Sequence, residues 1–268
     1  MRKINELMSL KGRKAIITGA TGGLGKHIAA TIIELGGSVI LVDRPGSNYS
    51  SLVSELEENN AADIECFDCD LENEDERKSL ISRIKNDYSM NLNILINNAA
   101  FGGTTDLSGW ATKFEDQSVE TWRRAIEVNL TAVFDLSKGF AGLLGKNGHG
   151  SIINVSSIYG ILGPDYSLYK GTNMGNPAAY AASKGGIIQL TRWLSTTLSP
   201  KVRVNAISPG GVLRGQPEKF VRRYNTGTPL GRMATEEDFK GVIAYLASDL
   251  SKYMTGQNLV IDGGRSVW

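Results

Sequence analysis

The sequence predicts a single α/β domain, a doubly wound parallel sheet of seven strands with helices on both faces. Three observations carry this. Seven short apolar runs recur along the chain, several of them continuous Val/Ile/Leu rather than alternating, as strands buried on both faces should be. Longer stretches of helical period separate the runs, and regular β-α alternation is the pattern of a parallel sheet. At 268 residues, 41% of them hydrophobic, the chain is long enough to bury one sizeable core.

The strands read in order as "KAIITG", "SVILVD", "DIECFD", "NILINNAA", "SIINVSS", "VRVNAIS" and "NLVIDGG". Helices are expected near 24 to 36, 49 to 59, 73 to 87, 118 to 145, 177 to 198 and 235 to 248. No linker, repeat or low-complexity tract divides the chain, so residues 1–268 are expected to form one unit, with sites at the carboxyl ends of the strands. A formal net charge of +1 with 21% charged residues gives no footprint for a nucleic-acid partner or a disordered tail. No apolar run approaches membrane-spanning length, and "MRKINELMSLKGRK" lacks the apolar core of a signal peptide, so no membrane association and a cytoplasmic location are expected.

Few residues are available for metal or thiol chemistry. Cys66 and Cys69 form a C-x-x-C, but inside a strand-like run and without further ligands for zinc, so they read as reduced bystanders. His27 and His149 are too few and too scattered for a metal site or a Ser-His-Asp triad. No metal is expected, and a catalyst must use other groups.

The first strand runs into "TGATGGLGKHIAATIIELGG", which sets Gly19, Gly22, Gly23 and Gly25 at a strand-to-helix turn. Glycines there permit a tight turn and let backbone N–H groups approach a pyrophosphate at the positive end of a helix, although such a turn can also be purely structural. The second strand ends in Asp43, eighteen residues past Gly25, where a carboxylate can accept hydrogen bonds from a ribose and would repel a 2′-phosphate. Asp43 favours NAD(H); Arg44 beside it would tolerate the phosphate of NADP(H); the plainer reading of Asp43 is a turn cap.

In "NPAAYAASKGGIIQLTRWLSTTL", Asn176 reads as an N-cap, Pro177 as the first helical residue, and Ile187, Leu190, Leu194 and Leu198 as the core-facing stripe. Tyr180 and Lys184 then share one face. They are either a surface pair or a phenol whose pKa an ammonium lowers for proton exchange with an alcohol or carbonyl. Bringing a phenol from about 10 to near 7 takes roughly 4 kcal/mol. One ammonium about 4 Å away at an effective dielectric of about 20 supplies that much.

Taken in order, Thr18-Gly19-x3-Gly23-x-Gly25, Asn97-Asn98-Ala99-Ala100, Asn129 in "EVNLTA", Ser157 closing "SIINVSS", Tyr180-x3-Lys184 and Pro209-Gly210 resemble the motifs of the classical short-chain dehydrogenase/reductase family over essentially the whole chain. The resemblance implies a Rossmann fold and an NAD(P)-dependent oxidoreductase that interconverts a secondary alcohol and a ketone. It implies Tyr180 as acid/base, Lys184 as the residue that lowers its pKa and binds the nicotinamide ribose, Ser157 as the donor that orients the substrate oxygen, and Asn129 as the anchor of a proton-relay water. Ser156 is left a structural role. For the cofactor it implies Gly19, Gly23, Leu24 and Gly25 at the turn, Asp43 and Arg44 at the ribose, Asp70 and Leu71 at the adenine, Asn98, Ala99 and Ala100 along the fourth strand's end, Tyr180 and Lys184, and Pro209, Gly210 and Val212 at the carboxamide. Ala100 replaces a usual glycine, and Arg214 stands where a Thr commonly contacts phosphates. The family also implies a homodimer or homotetramer.

Between Ser157 and Tyr180 lie 22 residues, more than the family's usual gap. The longer loop 158–177 is therefore expected to lie over the site, or else to decorate the surface. It offers Tyr159, Tyr166, Tyr169, Lys170, Thr172 and Asn173, of which Tyr159 and Tyr166 are the expected substrate contacts. It resembles the branch of flagellin-modification or surface-sugar oxidoreductases, and less closely the gluconate dehydrogenase-like members. A substrate loop over 211–230, followed by Arg232, carries Arg214, Lys219, Arg222 and Arg223 against one acid, Glu218. These are either a solvated face or a grip for an anion, with Arg214 as the expected contact. The expectation is an anionic, hydroxylated substrate: a nucleotide sugar or a sugar acid of surface-glycan biosynthesis. Alternatives are a 3-oxoacyl carrier-protein reductase, a gluconate dehydrogenase-like enzyme, or a dinucleotide-binding scaffold without catalysis.

Overall fold

A computed structural model describes residues 1–57, 63–86, 91–102, 105–146 and 148–268. After a short helix α1 (Ile4–Met8), the chain alternates through β1 (Lys14–Thr18), α2 (Gly23–Glu34), β2 (Ser38–Asp43), α3 (Tyr49–Glu57), β3 (Ile64–Asp68), α4 (Glu74–Asn86) and β4 (Leu92–Asn97). It continues through α5 (Val119–Ile126), α6 (Ala132–Leu144), β5 (Gly150–Val155), α7 (Ala178–Leu198), β6 (Val202–Pro209), α8 (Glu218–Thr226), α9 (Lys240–Ala247) and β7 (Asn258–Ile261). The sheet is seven-stranded in the order β3-β2-β1-β4-β5-β6-β7, parallel throughout.

Side-chain alternation along each strand divides the core. Ala15, Ile17, Val39 and Leu41 face one layer with Ile28 and Ile32 of α2 and Ile243 and Leu246 of α9. Ile16, Ile40 and Val42 face the other, with Leu80 and Ile84 of α4, Leu136 and Phe140 of α6 and Leu194 of α7. Burying each such side chain is worth about 1.5–3 kcal/mol, which holds helices on both faces. Strand order reverses beside β1, whose neighbours are β2 and β4, so a crevice opens at the carboxyl ends there.

Some elements differ from expectation. Residues 58–59 and 87, at the ends of two expected helices, lie outside the described residues. The run expected as one helix over 118–145 is interrupted by a π-helical turn over Glu127–Thr131, where the Ala132 N–H reaches back to the Glu127 carbonyl. Pro177 is the N-cap of α7 rather than its first residue, and the Ala178 N–H is capped by Gln117 Oε1 at 3.0 Å, not by Asn176. The expected helix over 235–248 opens as a 3-10 turn (Glu236–Phe239) before α9.

Candidate active site

The glycine turn is held from below. Gly19 has φ +64°, and a Cβ there would stand 2.9 Å from Ala99 Cα; a Cβ on Gly25 would stand 2.1 Å from the Gly19 carbonyl oxygen. Only glycine fits either place. Asn98 Nδ2 donates to the carbonyls of Thr18 and Gly19 at 2.9 and 3.0 Å, and Thr18 Oγ1 accepts from the N–H groups of Asn98 and Ala99. The fourth strand's end thus fixes the start of α2, leaving its N-terminal turn, Gly22 and Gly23, without side chains.

Asp43 is placed at the end of β2, where its carboxylate accepts from the Thr21 N–H at 2.9 Å and the Thr21 hydroxyl at 2.7 Å. Its other oxygen accepts from the Arg44 N–H, while the Arg44 side chain is exposed. The cap reading of Asp43 is therefore realised. Asp70 is exposed at the end of β3, and the Leu71 carbonyl accepts from the buried Arg77 at 2.6 Å. Arg77 also pairs with Glu127 and Asp135, which ties this segment to the π turn. A bare helix N-terminus, a carboxylate at the second strand and an open channel along Leu24, Asn98, Ala100, Pro209, Gly210 and Val212 fit a nicotinamide dinucleotide.

The proton-handling side chains line the same cavity, whose whole volume, channel included, is about 320 Å³. Ser157 leaves β5 in extended conformation and caps a 3-10 turn over Ile158–Gly160, its Oγ accepting from the Tyr159 N–H at 3.2 Å. Ser156, buried, donates to the Lys184 carbonyl at 2.7 Å and so pins the end of β5 to α7, the structural role expected of it. Tyr180 keeps part of its ring open to the cleft. Burial pushes its phenol above the ordinary value, while a hydrogen bond with Ser157 and the charge of Arg214 pull the other way.

Lys184 is buried, its Nζ 5.6 Å from the centre of the Tyr180 ring and donating to the Val155 carbonyl at 2.7 Å. Burial brings its pKa down to about 7. The burial that penalises the Lys184 ammonium also penalises the Tyr180 phenolate. Asn129 is fully buried in the π turn. Its Oδ1 accepts from the Phe101 N–H at 2.7 Å, and its Nδ2 donates to the Phe101 carbonyl and to Ser183 Oγ. Both amide hydrogens brace the loop after β4 to α7.

The longer loop lies over the cleft, but not with all the residues expected. Tyr159 lines it; Tyr166 is 66% exposed and does not. Tyr169 does line it, and so do Met174 and Asn176 from the loop and Phe220, Tyr224 and Met233 from the α8 side. Alternating aromatics in the loop gave no hint which would turn inward, and Asn176 reads as a helix cap. The basic run is largely engaged elsewhere: Arg223 donates to the Leu168 and Lys170 carbonyls, and Arg232 pairs with Asp238. Arg214 borders the cleft, yet its Nε donates to Glu236 Oε1 at 2.8 Å.

Both thiols are kept protonated, burial pushing Cys69 up to about 12 and Cys66 in the same direction. No helix among the described residues is long and apolar enough to cross a membrane.

The whole chain has relatives with this architecture. Residues 19–266 match the family model described as "Enoyl-(Acyl carrier protein) reductase". The chain is 34% identical over 264 residues to the 3-oxoacyl-[acyl-carrier-protein] reductase FabG of Thermotoga maritima, covering 96% of this chain and 99% of that one. A short-chain dehydrogenase of Leptospira borgpetersenii with bound NAD+ superposes with a TM-score of 0.82 at 32% identity, covering 99% of this chain and 96% of that one. A gluconate 5-dehydrogenase of Burkholderia cenocepacia in complex with NADP and tartrate gives a TM-score of 0.85 at 25% identity, covering 99% and 100%. These names point to the broad family and not to its flagellin-modification branch. With its glycine turn, its Ser157, Tyr180 and Lys184 at one cleft, and relatives matched end to end, the chain belongs to the classical short-chain dehydrogenase/reductase family and is an oxidoreductase of the nicotinamide-dependent kind.

Proposed function

We propose that the protein interconverts a secondary alcohol and a ketone on a compact, hydroxylated substrate, in the manner of a gluconate 5-dehydrogenase, with NAD(H) preferred over NADP(H). The observation that carries this reading is the cleft itself. Ser157 and Tyr180 border the cleft, and loop 158–177 and α8 line it with the phenols of Tyr159, Tyr169 and Tyr224 and the amide of Asn176. A gluconate 5-dehydrogenase with tartrate is among its structural relatives. A sugar acid belongs to this substrate class; of the basic run, Arg223 and Arg232 are engaged with the Leu168 and Lys170 carbonyls and Asp238, while Arg214 borders the cleft. The preference for NAD(H) rests on Asp43, whose charge opposes a 2′-phosphate.

A nicotinamide held along Pro209, Gly210 and Val212 would supply the acceptor for the hydride of the carbinol carbon, and its donor in the reverse direction. The rest of the work falls to side chains. Ser157 donates a hydrogen bond to the substrate oxygen and holds it beside the Tyr180 hydroxyl. In oxidation, Tyr180 acts as phenolate and receives the alcohol's proton; in reduction its O–H returns that proton to the forming alkoxide. Lys184, poised near neutrality by burial, supplies the positive charge that makes a phenolate tolerable beneath the cleft. Trp122, Phe134 and Trp193, which stay open on α5, α6 and α7, support assembly into a homodimer or homotetramer.

One observation favours a second reading. Met174, Phe220 and Met233 give the cleft an apolar wall, and the FabG relative at 34% identity is named a 3-oxoacyl-[acyl-carrier-protein] reductase. Steady-state assays with NADH and NADPH decide between the two, using 5-ketogluconate on one side and acetoacetyl-coenzyme A on the other. Faster turnover of the sugar acid supports the proposal; faster turnover of the thioester transfers it to the second reading.

A further inference from the structure

Two phenols that no motif predicts stand together on the wall of the cleft. The hydroxyls of Tyr159 and Tyr169 lie 2.6 Å apart, and the Tyr159 hydroxyl is also hydrogen-bonded by the side chain of Asn176, which is buried. All three residues line the same space as Ser157 and Tyr180. Tyr169 is close enough to Tyr180 to oppose ionisation of its phenol.

Each member is held by its own anchor. Tyr159 sits two residues after Ser157 in the 3-10 turn, and that turn is pressed on α7 so closely that a Cβ on Gly160 would stand 2.7 Å from the Lys184 carbonyl oxygen. Tyr169 comes from the longer loop. Its ring packs on Phe220 of α8 at 5.6 Å between centroids, the carbonyls on both sides of it accept from Arg223, and its own carbonyl accepts from Thr172. Phe220 in turn stacks on Tyr224, whose hydroxyl accepts from the Gly211 N–H at 2.6 Å beside the expected carboxamide site. Neither phenol can swing away without breaking these contacts.

A pair of hydroxyls sharing one hydrogen bond keeps one donor hydrogen and further lone pairs for a ligand. Of the basic side chains nearby, Arg223 donates to loop carbonyls and Arg214 Nε donates to Glu236. Such a cluster recognises a group that both donates and accepts, and it disfavours a plain methylene. We infer that Tyr159, Tyr169 and Asn176 form a subsite for a hydroxyl on the carbon next to the reacting one, so that the enzyme selects α-hydroxy ketones and vicinal diols. This rests on the reading of a hydroxylated substrate given above and names which hydroxyl is read and by what.

The test uses two small ketones that differ only in that hydroxyl, 2-hydroxycyclohexanone and cyclohexanone, with wild-type protein, Tyr169→Phe and Tyr159→Phe. Cofactor affinity is followed in parallel by NADH fluorescence. A site built to bond a hydroxyl rejects the analogue that lacks it, so wild type should show a kcat/KM at least about tenfold higher for the hydroxyketone. Each Tyr→Phe change should bring that ratio to within about threefold of unity while NADH affinity stays within about twofold. A wild-type ratio near one, a ratio that survives both substitutions, or reduction of neither ketone overturns the inference. Preference for acetoacetyl-coenzyme A over 5-ketogluconate would overturn the sugar-acid reading alone, because the ketone pair contains neither thioester nor carboxylate.

Discussion

The guanidinium of Arg214 donates to the carboxylate of Glu236 at 2.8 Å, and the two together lie against the first turn of α2. A Cβ on Gly23 would stand 2.7 Å from Glu236 Oε1 and 3.2 Å from Arg214 Nη2. Sequence reasoning placed Arg214 at the substrate; its position couples it at least as closely to the helix end that would receive a dinucleotide's diphosphate. Arg214→Gln should therefore weaken binding of ADP-ribose by about tenfold, measured by calorimetry, and the wild-type advantage should shrink as salt rises. Unchanged ADP-ribose affinity, with a raised KM for substrate only, would return Arg214 to the substrate side.

Burial of Lys184 makes a prediction about stability and pH. Its pKa falls from 10.5 to about 7 in the folded protein, so between these values the unfolded chain binds the extra proton and the folded chain does not. Stability from this group is thus lost below pH of about 7 and gained as pH rises toward 10. The Tyr180 phenol, held above its ordinary value, titrates beyond that window. Lys184→Met removes the penalty, so the variant should melt higher than wild type near pH 6.5, and the gap should narrow by pH 9.5. Thermal melts of the cofactor-free proteins at both values check this; a gap independent of pH would show that Lys184 is not desolvated as described.

Asp43 secures Thr21 of the glycine turn, and it is the residue proposed to set the preference for NAD(H). Asp43→Ser should lower kcat/KM with NAD(H), raise it with NADP(H), and bring the two within about an order of magnitude of each other. Steady-state comparison of both cofactors measures the change. A wild-type protein that already prefers NADP(H) would overturn the assignment of Asp43.

Much of this was legible in the chain because the signals are local. The seven strands announce themselves as apolar runs, and the glycine turn, Asp43, Ser157 and the Tyr180-Lys184 pair each occupy a place fixed by a strand end or one helical turn. What escaped depends on contacts between distant segments. The π turn at Asn129 leaves no mark on helical periodicity, since one extra residue per turn shifts the pattern only slightly. Tyr166 and Tyr169 look alike in sequence, and only Phe220 and Arg223, some fifty residues on, turn one inward and leave the other in solvent. The excess of basic residues after Pro209 suggested an anion site, but their partners, Asp238, Glu236 and loop carbonyls, lie outside that run. The upward push of burial on the Tyr180 phenol is likewise absent from the sequence, because desolvation belongs to the assembled core and not to a spacing of four residues.

Tyr180, which shares the cleft with Ser157, is the residue we assign to proton transfer in an alcohol/ketone interconversion. The most direct measurement is the turnover of Tyr180→Phe beside its NADH affinity, using whichever of 5-ketogluconate and acetoacetyl-coenzyme A wild type reduces faster. Loss of the phenolic proton should cut kcat by a hundredfold or more, while NADH fluorescence titration and melting temperature stay close to wild type. A variant that binds NADH normally and still turns over at near wild-type rate would contradict the account.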